Sequence, residues 1–161
     1  MTVLASRLFG EVPLGDDGGF VTRALELGAR TIERSLYVGD KIGSDPTSLL
    51  LAQALLERLE SLDVQARAAL RARLAAETSA DEMIGSYLAF HREELDPAAL
   101  GGAGQDDAAL LARLDLVGVA VHGTADEFFV LDYSFGRAVT DQLLAVKHDA
   151  GGAITDLTHE S

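Results

Sequence analysis

Asp132-Tyr133-Ser134-Phe135-Gly136 is the stretch of this chain that comes nearest to a catalytic signature. A serine after a tyrosine and before a glycine turn is similar to the strand-to-helix elbow that exposes a nucleophilic hydroxyl in hydrolases. The elbow's first glycine is missing and no helical pattern follows. Ser134-Phe135-Gly136 therefore reads as a turn, and Tyr133 as a strand residue whose hydroxyl finds a partner. A serine nucleophile also needs a placed histidine and carboxylate, and no spacing here supplies them. Four histidines raise metal binding instead. His91 and Glu94 lie three apart on a helical pattern, but no second helical histidine completes a site. His122, His148 and His159 fall near strand ends. Gly102-Ala103-Gly104 precedes a helix, as a phosphate cradle would, yet it follows a helix too, and Asp106 and Asp107 repel phosphate. Asp16-Asp17 fits no calcium loop. Glu93-Glu94 and Asp106-Asp107 have no visible apolar pocket to split their acidities. No catalytic residue, cofactor or metal is assigned. Tyr87, His91 and Tyr133 remain as candidate ligand-site residues, expected to meet between a helical layer and a sheet.

Composition narrows the function classes. The chain of 161 residues is 48% hydrophobic, which suits one globular domain over residues 1–161 and excludes a disordered chain. Acidic residues number 26 against 13 basic ones, a formal charge of −13. Such a surface disfavours phosphate backbones and anionic membranes; it serves solubility first, and it would also speed encounter with a basic protein or a cation. Without cysteine, thiol chemistry and disulfides are excluded. The start carries no signal-peptide pattern, and no apolar run approaches the ~20 residues of a membrane span. A cytoplasmic location is the expectation.

The elements that must position these residues follow from periodicity. Residues 3–12 read as one strand stopped by Pro13. Residues 20–27 and 30–38 read as a hairpin about Gly28-Ala29, which sets Val21 opposite Leu36, Leu25 opposite Ile32, and Arg23 opposite Arg34. That arginine pair is unfavourable unless carboxylates or an anionic ligand intervene. Asp45 caps a helix with Pro46 at its first position, and Leu51, Leu55, Leu59 and Leu62 form its apolar stripe. Asp63 is expected to cap a second helix, and Ser79 with Glu82 to form a capping box for a third. On that third helix Met83, Ile84, Tyr87, Leu88 and His91 share a face. A short helix follows at 106–114. From Leu116 the period changes to two, and Gly151-Gly152 marks a hairpin that would set Leu144 against Leu157. The pattern predicts an α+β fold: N-terminal strands, a central bundle of three to four helices, and a C-terminal antiparallel meander, with one sheet packed on the helices.

Several stretches are similar to a bacterial family of unknown function, domain-of-unknown-function family number two-thousand-and-four. They are Phe9-Gly10-Glu11-Val12, Tyr87-Leu88 to His91, Glu93-Glu94-Leu95, Leu116 to Val119, Phe129 to Ser134 with Gly136, Thr140-Asp141, Leu144 to Lys147, Gly152 and Glu160-Ser161. The resemblance spans nearly the whole chain and implies no catalytic residues. Loose analogy with small acidic immunity proteins points the same way as composition, toward a non-enzymatic protein-binding module for a basic partner. The alternative is a small-molecule binder or an undetected enzyme with its site between sheet and helices. An edge strand leaves room for a homo-oligomer.

Overall fold

A computed structural model describes residues 2–161. Its strands and helices are β1 (Thr2–Ser6), β2 (Gly10–Leu14), β3 (Gly19–Leu27), β4 (Arg30–Val38), α1 (Asp40–Ser44), α2 (Pro46–Glu57), α3 (Leu59–Ala76), α4 (Met83–Glu94), α5 (Asp107–Ala112), β5 (Asp115–Val121), β6 (Phe129–Ser134), β7 (Leu143–His148) and β8 (Ile154–Glu160), with a 3₁₀ turn at Pro97–Leu100. The class is α+β, closed by the C-terminal meander. β1 and β2 form a small two-stranded sheet, while β3 to β8 form a six-stranded sheet in sequence order. Every neighbouring pair is antiparallel except β4 and β5, which run parallel. A parallel pair needs a long crossover, and the whole helical centre of the chain is that crossover.

The β3–β4 hairpin takes the expected register, with Val21 opposite Leu36, Leu25 opposite Ile32 and Arg23 opposite Arg34. Gly28, at φ +64°, provides the left-handed turn residue that so tight a connection demands. Asp45 caps α2 as expected, accepting from Thr47 N at 3.1 Å and Ser48 Oγ at 2.8 Å. Four expectations need correction. Residues 3–12 are two strands, because Gly10 turns at φ +74°, and Pro13 sits within β2 opposite Val3. A two-stranded ribbon has a free side on which a missing N–H costs nothing. Asp63 lies inside α3, which begins only two residues after α2 ends. Ser79 and Glu82 make no capping box at α4: Glu77 instead accepts from Ile84 N and Gly85 N, each at 2.8 Å. Finally, Leu144 faces His159, and Leu157 faces Val146. From Leu143 to Lys147 this slip of two residues keeps the side chains on their expected faces, so hydrophobic alternation does not register it; an irregularity between Lys147 and His148 then brings Ile154 opposite His148.

One face of the large sheet packs against the helices. Leu36, Val38, Val119, Val121, Phe129, Leu131, Tyr133, Leu144 and Val146 meet Leu55, Leu62, Ala66, Ile84, Tyr87 and Leu88 in a single buried core. Among the described residues no helix is long and apolar enough to cross a membrane.

Candidate functional site

The structure brings two of the three candidate residues together and sends the third elsewhere. Tyr87 and His91, one turn apart on α4, are fully buried with ring centroids 4.3 Å apart. Phe135 and His159 pack on Tyr87 at 6.1 and 5.3 Å. The polar atoms of this cluster are already used. Tyr87 Oη donates to the Gln142 carbonyl at 3.1 Å, and His91 Nδ1 donates to the Tyr87 carbonyl at 2.7 Å. That donation leaves His91 Nε2 to accept from Thr140 Oγ1 at 2.8 Å. Burial pushes the tyrosine hydroxyl up and the imidazole down, so both stay neutral near pH 7. The cluster ties the β6–β7 loop to α4 and leaves no room for a substrate.

Tyr133 points from β6 toward α3. Its Oη donates to Asp63 Oδ1 at 2.7 Å, and that same oxygen accepts from Arg67 Nε at 3.0 Å. Arg67 also covers the Tyr133 ring, 5.0 Å from its centroid. Asp63 is thus the residue that the cap reading missed. A carboxylate four residues before Arg67 was the available signal. The four histidines do not gather: among the described residues no three metal-ligating side chains share a site.

Among the described residues no helix lies over the other face of the large sheet. Strand alternation and pairing place Phe20, Thr22, Ala24 and Glu26 of β3 there. Beside them lie Glu33, Ser35 and Tyr37 of β4, Gly118 and Ala120 of β5, Val130 and Asp132 of β6, Ala145 and Lys147 of β7, and Asp156, Thr158 and Glu160 of β8. Its middle is built from small residues. At its β3 corner Phe20 and Tyr37, directly opposite each other, are 66% and 41% exposed. A shallow cleft of about 210 Å³ runs from this pair past Glu33 and Ser35 to Asp132 and Arg137.

Asp132 is the singular group of that face. Its cross-strand neighbours are Gly118 and Ala145, which offer it no polar side chain. A Cβ on Gly118 would stand 2.7 Å from Arg137 Nη2 and 3.2 Å from Asp132 Oδ2, so only glycine lets both side chains lean over this strand. Burial raises the Asp132 carboxyl to about 6, with Glu160 and Glu127 adding to the shift and Arg137 and Lys147 opposing it. Nearby, Lys147 Nζ is held by Glu160 at 3.1 Å and Glu127 at 3.3 Å. The face thus presents net negative charge around a centre of Gly118, Val130 and Ala145 that is itself buried. The sequence showed Asp132 as a polar position in an apolar run; its partner Gly118 lies across a loop whose length hides the register.

Compared with family models, curated proteins and solved structures, the chain has no match.

Proposed function

We propose that this chain is a docking module that holds a basic surface of another protein against the open face of its six-stranded sheet. The observation that carries the reading is that face itself. A whole sheet surface is left without helices, its acidic groups outnumber its basic ones, and Phe20 and Tyr37 stand exposed at one corner. Six strands about 4.8 Å apart, each about 20 Å long, span roughly 500 Å² of sheet, over which the long side chains of this face are spread. That is a large part of the ~800 Å² each partner contributes to a standard interface. Aromatic side chains are suited to anchor such a contact, and complementary charge steers the encounter. The closed packing around Tyr87 and His91 supports a binding role over an enzymatic one, since no substrate could reach them. The resemblance to the bacterial family of unknown function, and the analogy with immunity proteins, fit the same reading in a reducing cytoplasm.

The test compares capture by four forms of the protein from host lysate. The wild type and a helix-side control, Glu57→Lys with Glu93→Lys, should retain the same basic partner, and salt should weaken it. Charge reversal on the face, Glu26→Lys with Glu33→Lys, and anchor removal, Phe20→Ala with Tyr37→Ala, should each release it. A partner held equally by all four forms, or one that contacts the chain through an acidic surface, would overturn the reading.

A further inference from the structure

On the opposite side of the sheet lies a cleft of about 300 Å³, closed by β3, β4 and β5 below, α2 and α3 above, and the β1–β2 turn at its mouth. Leu8, Leu25, Leu56, Leu59 and Leu116 line it, and Arg7, Arg34, Glu60 and Asp63 supply its charge. We propose that this cleft binds a small carboxylic acid with an apolar chain, its carboxylate on Arg34 and its chain among the leucines.

Arg34 carries the argument. Its Nε donates to the Leu116 carbonyl at 2.9 Å, and its two terminal nitrogens make no hydrogen bond or ion pair among the described residues. The guanidinium is half-buried on the sheet face that meets the helices. A half-buried guanidinium held by one protein acceptor leaves its terminal nitrogens to water or to a ligand in the cleft. Arg23 sits directly across the hairpin from it, likewise without an ion pair. Among the described residues its one side-chain hydrogen bond is to the Thr22 carbonyl, at 3.2 Å. Asp63 offsets part of the Arg34 charge at a distance, but its Oδ1 is shared by Tyr133 and Arg67, and among the described residues it makes no ion pair with Arg34. At the rim Arg7 meets only Glu60, at 3.4 Å, with both side chains largely exposed. Two arginines thus pair across one hairpin in a chain of net charge −13. Arg23 is exposed and does not line the cleft, so an anion bound there is held by Arg34 and lessens the unbalanced positive charge of the pair.

The ligand class follows from shape and charge. At about 30 Å³ per water-sized group, the cleft holds about ten such groups, the size of a medium-chain acid. The planar fork of arginine matches a carboxylate with two parallel hydrogen bonds. A phosphate dianion would bring a second negative charge beside Asp63 and Glu60. The apolar floor selects a hydrocarbon chain over a sugar or nucleotide.

Octanoate and 1-octanol are the probes, titrated into the full chain by calorimetry, with amide shifts in a ¹⁵N spectrum locating the site. Octanoate is expected to bind saturably, shifting Leu25, Arg34, Leu56 and Leu116, and to bind much more tightly than octanol. Arg34→Gln should weaken octanoate roughly ten- to hundred-fold and leave octanol nearly unchanged. Leu8→Trp, at a rim position 38% exposed, tolerates the larger ring without disturbing the core. It should block both probes while leaving the Arg34 resonance in place. The proposal fails if octanoate does not saturate, if octanol binds equally well, or if either folded variant binds octanoate as the wild type does.

Discussion

Asp132 and the buried histidines pull the stability of this protein in opposite directions along the pH scale. The Asp132 carboxyl rises from 3.8 to about 6 in the folded chain, so folding favours its protonated form. Below pH 3.8 it costs nothing; its penalty opens between 3.8 and about 6 and is level above. Asp132→Asn should therefore stabilise the protein by up to about 3 kcal/mol above pH 6, with the gain vanishing near pH 4. His91 and His148 are shifted below 6.5, chiefly by burial. His148 is fully enclosed, and its Nε2 has no partner among the described residues. The unfolded chain takes up protons at 6.5 that these two refuse, so their share of stability is lost as pH falls through that value. Urea titrations across the pH range separate the two effects. In Asp132→Asn the unfolding free energy should decline from pH ~7.5 to ~5.5, while in the wild type Asp132 offsets part of that decline. A flat profile in the variant would exclude the histidine assignment.

Helix ends and turns show which elements the sequence made legible. The β3–β4 hairpin was readable because a two-residue turn fixes register by itself, and α2 because Asp45 and Pro46 act on their own backbone neighbours. The start of α4 was not readable. Its free N–H groups are satisfied by Glu77, which belongs to the end of α3 and is placed by the turn between the helices. Among the candidate site residues, Tyr87 and His91 shared a helical face, and the pattern brought them together correctly. Tyr133 separated because its partner, Asp63, comes from an element far away in sequence. Glu77→Ala should cost about 1–2 kcal/mol by analogy with a lost N-cap, and it also breaks the 3.5 Å contact with Arg73. Ser79→Ala should change stability by only a few tenths of a kcal/mol. Thermal unfolding of both variants reads the difference, and equal losses would return the cap to Ser79.

At the scale of the whole molecule, sequence-order strand neighbours make most of the sheet local. The exception is the parallel seam, where Ser35 to Val38 meet Gly118 to Val121 after the entire helical layer has intervened. Closing so long a loop costs entropy before any contact rewards it. The hairpin β3–β4 and the meander β5–β8 should therefore form early and the seam late. Until it closes, β5 is an exposed edge bearing Leu116-Val117-Gly118-Val119-Ala120-Val121, an uncharged and β-prone run of the kind that pairs between chains. Refolding yield should fall as protein concentration rises, and Ala120→Lys, on the open face, should restore it. A yield independent of concentration would place the seam earlier in folding. The joint that gives the finished sheet its continuity is thus also where an unfinished chain is most exposed to aggregation.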